Sequence, residues 1–142
     1  MTKTIFYISK YCATATKNSL GSRGWLLMKE FANRGYQSVV ITSDSNNLAD
    51  LPNFQSSFIK YSQEGVQVIM LKTLKYSVAK SVQRIFSWLN FEWVFFWLDK
   101  KLLPKPDVII VSSLSLLTIV NGFFLKKKYK CKLVFEIRDI WP

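Results

Sequence analysis

Five short runs of β-branched and aromatic residues recur along the chain, and the stretches between them carry helical spacing instead. The runs are Thr4–Ser9, Gln37–Ser43, Val66–Leu71, Asp107–Ser112 and Lys132–Glu136. Nearly continuous apolar runs of this length mark strands covered on both faces. Between the first two, Gly24–Arg34 pairs Leu27 with Phe31 and Met28 with Ala32 at i, i+4, and Gly35 follows as a C-terminal cap. Ser115–Lys128 reads as another helix, ending in Lys126, Lys127 and Lys128, where cations suit a helix C-terminus. Asp44–Tyr61 is polar, holds Pro52 and has no sustained period, so it reads as an irregular connection with room for one helical turn. Strands alternating with helices predict an α/β fold, a Rossmann-like parallel sheet of about five or more strands with helices on both faces. With no internal repeat and no compositional break, residues 1–142 read as a single domain. At this size a chain buries roughly two-thirds of its unfolded surface and needs neither disulfide nor metal to hold it.

Composition removes several chemistries. The sequence has no His, which excludes Ser-His-Asp triads, His general bases and imidazole metal sites. Cys12 and Cys131 lie far apart without a C-x-x-C pattern, which predicts two reduced thiols. The opening residues, Met1–Ile8, are too short an apolar run for a signal peptide, so a cytoplasmic location is expected. The net charge of +11 is uneven. Residues 1–71 hold 7 basic and 4 acidic side chains, and residues 72–142 hold 13 and 5. The second half therefore either meets something negative or owes its solubility to that charge.

Ser77–Leu103 is the most unusual stretch. From Ile85 to Leu98, eleven of fourteen residues are apolar, interrupted by Ser87, Asn90 and Glu92. On a helical wheel Trp88, Phe91, Phe95 and Leu98 fall on one side, with Phe86, Trp93 and Trp97 near the opposite one. A helix on a sheet buries one face, so the second needs another partner. The run is too short to span a bilayer core, which takes about 20 residues. One reading is an interfacial membrane contact through Trp88, Trp93, Trp97, Lys100 and Lys101, on an anionic membrane surface. The other is a helix buried deeply within a larger protein.

Three motifs qualify as chemical sites. Gly21, Ser22, Arg23 and Gly24 precede the first helix, where backbone N–H groups either cradle a diphosphate or simply start the helix. The dinucleotide fingerprint is incomplete, because Ser9 and Gly21 stand twelve positions apart; only Asp44, at the end of the second strand, favours a nucleotide cofactor. Arg138 and Asp139 follow the fifth strand, and Ser112 and Ser113 the fourth, at the strand ends where ligands sit in such sheets. The first pair serves either a ligand or a local ion pair, and the serines either a sugar or the cap of the next helix. The lysines of 126–132 lack any accompanying nucleic-acid recognition motif, so no nucleic-acid partner is expected.

Taken together, the glycine-containing loop, the helix Trp25–Tyr36, the strand Ser38–Ser43 and Glu64–Ile69 resemble the amino-terminal domain of family 4 glycosyltransferases. Lys105–Ser113 and Val134–Pro142 are similar to the stretches those enzymes carry at their fourth and fifth strands, particularly members that build bacterial surface polysaccharides. The likeness covers almost the whole chain and is most specific at Glu136–Pro142. Many relatives have adjacent glycines where this chain has Gly21-Ser22-Arg23-Gly24, and a His where it has Ser112 and Ser113. The resemblance implies one half of a GT-B arrangement, with a nucleotide-sugar as donor substrate, no bound cofactor or metal, and a lipid-linked or polysaccharide acceptor. It places Gly21 to Gly24 near the donor diphosphate and Arg138 and Asp139 along the cleft, and it assigns no catalytic residue. The carboxy-terminal donor domain and its Glu pair are expected to come from a missing segment or a partner chain, so the isolated domain is expected to be inactive. The implied station is peripheral, on the inner face of the cytoplasmic membrane. The alternatives are a non-catalytic membrane-anchoring subunit of a split glycosyltransferase and a plain nucleotide-binding module.

Overall fold

The computed structural model describes residues 2–17, 19–45, 51–76, 82–112 and 117–137. Strands β1 (Thr4–Ile8), β2 (Gln37–Ser43), β3 (Phe58–Gln63), β4 (Val66–Leu71), β5 (Val108–Ser112) and β6 (Lys132–Glu136) form one sheet in the order β3-β4-β2-β1-β5-β6. Every pairing is parallel except β3 with β4. The helices are α1 (Arg23–Asn33), α2 (Val82–Trp97) and α3 (Thr118–Tyr129), and a short 3₁₀ turn covers Lys100–Leu102. The fold is the expected Rossmann-like α/β layer. Its five anticipated strands stand within a residue or so of their sequence positions, and a sixth joins them.

That sixth strand, β3, corrects the reading of Asp44–Tyr61 as irregular. It pairs antiparallel with β4 through a two-residue turn in which Glu64 and Gly65 both have positive φ (50° and 79°). This is the primed hairpin geometry, which needs a residue such as Gly that tolerates the left-handed region.

Alternation along the strands separates two cores. Phe6, Ile8, Val39, Ile41, Ile69, Leu71, Ile109 and Val111 face α2 and α3, where Phe91, Phe95 and Leu125 meet them. Ile5, Tyr7, Val40, Val66, Val68 and Ile110 face α1, which contributes Trp25 and Met28. Strand period 2 presents alternate residues to opposite faces, so one run of apolar residues feeds both layers. The end of α1 is set by its sequence. Gly35 has φ +83°, its N–H donates to Ala32, and the Tyr36 N–H donates to Phe31, with the two rings meeting edge to face at 5.9 Å. That is a Schellman closure with its apolar contact. On the other face, Gly122 of α3 packs so closely that an added Cβ would lie 2.9 Å from Val111.

Candidate functional site

The chain leaves β1 through α1 to β2 on one side and leaves β5 through α3 to β6 on the other. The strand order therefore switches direction between β1 and β5, and in such sheets the crevice at the carboxyl ends of those strands is where ligands bind. Three expected residues stand at this edge. Gly21 has φ +86°, a conformation other residues rarely adopt, and its Cα packs on Trp25. Ser22 occupies the N-cap position of α1 but makes no capping bond; its hydroxyl instead donates to the Cys12 sulfur at 3.5 Å. Gly24 lies over Tyr7, so closely that an added Cβ would fall 2.3 Å from the ring. The first turn of α1 is thereby seated on β1, and among the described residues no side chain caps its N–H groups.

Arg23 joins these elements to β6. Its guanidinium is 3.1 Å from one Glu136 carboxylate oxygen, and the Tyr7 hydroxyl donates to the other at 2.9 Å. Burial and the Glu136 charge beside it hold the Tyr7 hydroxyl well above its usual range, so it remains a proton donor. Ser112, also expected, ends β5 and is buried next to Tyr7. Glu136 was read as the end of a strand and the start of the Glu136–Pro142 resemblance, with no site role, and nothing local in the sequence marks its link to Tyr7, 129 positions away. Ser113, Arg138 and Asp139 lie outside the described residues.

A second cluster sits beside the first, at the ends of β1, β2 and β4. Lys10 is only 2% exposed, donates to the Ser45 carbonyl at 2.7 Å, and has its ammonium 4.9 and 5.2 Å from the Tyr11 and Tyr76 ring centroids. Burial lowers its pKa to about 8, against the pull of Asp44 and with the help of Arg84. Asp44 accepts from the Thr73 backbone N–H at 2.8 Å and from the Thr73 hydroxyl at 3.3 Å. Tyr11 accepts from the Trp88 indole at 2.6 Å and from the Tyr76 hydroxyl at 3.0 Å, and the Arg84 guanidinium lies 5.0 Å from the Trp88 ring. Apart from Asp44, the sequence reading missed this cluster as a site. The available signal was positional: Lys10 and Asp44 each end a run destined for a parallel sheet.

No protein-family model matches the chain, and no curated protein matches it. Geometry alone thus bears on the site. Among the described residues, no group of three or more His, Cys, Asp or Glu side chains is placed to hold a metal ion.

The aromatic helix is α2, and its residues divide in a way the wheel only partly anticipated. Phe91 and Phe95 are buried in the sheet core. Trp88, grouped with the membrane contacts, turns toward Tyr11 at the carboxyl edge of the sheet. Trp93 and Trp97 are 64% and 66% exposed and touch each other, their ring centroids 5.7 Å apart. Lys100 folds back to donate to the Phe95, Phe96 and Leu98 carbonyls that end α2, at 2.5 to 3.1 Å, while Lys101 stays exposed. Burial and nearby Lys128 lower the Lys100 pKa to about 8. The apolar face extends onto α3, which the sequence reading treated only as a lysine-ended helix. Leu117, Val120, Phe123 and Phe124 are all exposed, and Phe124 meets Phe96 at 5.9 Å. A groove of about 370 Å³ runs between the helices, lined by Trp93, Phe96, Val120 and Phe124. At its base Glu92 is buried and accepts from Thr118 and, at 2.6 Å, from Asn121. No described helix is long and apolar enough to cross a membrane.

Proposed function

We propose that the chain forms the acceptor-side wall of a glycosyltransferase that moves a sugar from a nucleotide-sugar to a lipid-linked or polysaccharide acceptor. The observation that carries this reading is the uncapped first turn of α1, held against Tyr7 at the β1/β5 switch point with Arg23 beside it. Aligned N–H groups at a helix N-terminus and a nearby guanidinium complement a diphosphate. The resemblance of Lys105–Ser113 and Glu136–Pro142 to family 4 glycosyltransferases points the same way. In this reading the second wall, with most of the donor contacts, comes from another domain or chain. The departing diphosphate takes up the acceptor's proton, which suits a chain without His. What these residues contribute is position and charge: α1 holds the diphosphate, Arg23 neutralises it, and Glu136 aims Arg23.

The exposed α2 and α3 face supports the rest of the reading, a peripheral station on the inner face of the cytoplasmic membrane. Trp93, Trp97, Phe123 and Phe124 provide apolar area, and Lys101, Lys126, Lys127 and Lys128 lie close to it in sequence. The same face favours one alternative, a membrane-anchoring subunit without catalytic residues of its own. Sugar transfer by the assembled enzyme separates the two. Arg23→Ala is expected to lower turnover about tenfold or more, the loss of one charge-assisted contact. A wild-type rate in that variant would favour the anchoring subunit.

A further inference from the structure

The groove between α2 and α3 has a direction. Asn121 donates to Glu92 at 2.6 Å, Phe124 meets Phe96 at 5.9 Å, and the Tyr129 hydroxyl donates to the Lys100 carbonyl at 3.3 Å, so the two helices run side by side with their C-termini at the same end. The groove walls are open to solvent: Trp93, Phe96, Val120 and Phe124 are between 48% and 64% exposed. At the base, the Glu92 carboxylate is already engaged by Thr118 and Asn121. An occupant therefore meets a hydrocarbon surface.

Charge begins where the groove ends. Lys128 follows Phe124 at i, i+4 on the same side of α3, and the Lys127 ammonium lies 4.7 Å from the Phe123 ring centroid. Both lysines are exposed. Lys128 also lines, with Lys105 and Lys130, a recess of about 270 Å³, and the Asp107 carboxylate there accepts from the Thr4 backbone N–H at 2.8 Å. Lys100 takes no part, because its ammonium is engaged by the carbonyls that end α2. An apolar channel thus opens on a cluster of cations.

We infer that the groove and its lysines bind one anionic lipid, with a hydrocarbon chain between α2 and α3 and the phosphate of its headgroup at Lys127 and Lys128. Charge complementarity selects this occupant. A second copy of the chain, itself at +11, would set like charges against each other across the interface. A free phosphate would leave the groove empty, and a lipid without net charge would leave the lysines unmatched. An anionic amphiphile satisfies both parts, since its chain leaves water while each lysine near the phosphate adds attraction. The inference rests on the membrane reading of this face and gives the face a specific ligand.

The test titrates the full chain with octanoyl lysophosphatidic acid, octanoyl lysophosphatidylcholine and glycerol phosphate, each below any micelle-forming concentration, and follows amide NMR shifts. Lysophosphatidic acid is expected to give saturable shifts at Val120, Asn121, Phe124 and Lys128. The choline lipid and glycerol phosphate are each expected to bind at least tenfold more weakly. Val120→Trp fills the groove from a half-exposed position, and is expected to weaken lysophosphatidic acid binding about tenfold while vesicle sedimentation is kept. Lys127→Gln combined with Lys128→Gln, both at exposed positions, is expected to weaken it about tenfold as well, which keeps the test valid should Val120→Trp fail to fold. No saturable shift with lysophosphatidic acid, binding unchanged in both variants, or equally tight binding of glycerol phosphate would overturn the inference. Shifts at the same amides on raising the protein concentration alone, with no response to lipid, would overturn it in favour of a second copy. Sedimentation of the wild type with anionic vesicles reads the membrane station separately, so loss of the lipid groove leaves that reading standing.

Discussion

Gly24 shows how one missing side chain sets the candidate site. The Tyr7 ring beneath it cannot swing away freely, because its hydroxyl is tied to Glu136 on the far strand. Gly24→Ala should therefore either lift the first turn of α1 or strain the ring, costing about 2 kcal/mol, seen as a lowered urea midpoint with an unchanged slope. Lys10 makes a different kind of prediction. Its native pKa of about 8 lies below the unfolded 10.5, so between those values the unfolded chain binds more protons and stability rises with pH. Compared with Lys10→Met, the wild type should gain about 2 kcal/mol on going from pH 8 to about pH 10, and a flat difference would contradict this burial. At this scale part of the candidate site was legible in the sequence. Gly21 to Gly24 could be found because glycines before a helix have a local meaning. Lys10, Asp44 and Glu136 acquire theirs from hydrogen-bond partners 29 to 129 positions away, which no local pattern encodes.

At the scale of elements, four of the five legible strands are the buried ones, and the fifth, the edge strand β6, showed through its apolar run Leu133, Val134 and Phe135. β1, β2, β4 and β5 are mostly apolar because helices cover each side of them. β3 escaped notice because it is an edge strand whose half-buried residues alternate with Lys60 and Ser62, which dilutes the apolar signal. The helix α2 was visible, yet which of its two apolar sides would stay uncovered depended on packing against the sheet. With Phe91 and Phe95 inward, Trp93 and Trp97 are left outward, and α3 extends the same face. Replacing Trp93 and Trp97 together by Ser should reduce sedimentation with anionic vesicles about tenfold or more while shifting the melting temperature little, since both side chains are largely exposed. Trp88→Phe removes the indole donor to Tyr11 and should leave vesicle binding intact. Equal losses in the two variants would contradict the division of α2 into a ligand-edge side and an outer side.

For the whole molecule, the sheet separates two surfaces with different tasks in the proposed function. The carboxyl ends of its strands gather the α1 N-terminus, Arg23, Glu136 and the Lys10 cluster, while the aromatic face of α2 and α3 lies on one broad side. A nucleotide-sugar would thus be met at the edge while the face holds the chain on a lipid surface, and neither contact would obstruct the other. The most direct measurement is an amide shift titration of the chain with uridine and guanosine diphosphate-sugars. Saturable shifts centred on Ser22 to Trp25, and abolished by Arg23→Ala, are the predicted result. Shifts confined to the opposite, amino-terminal edge of the sheet, or none at saturating nucleotide-sugar, would contradict the account.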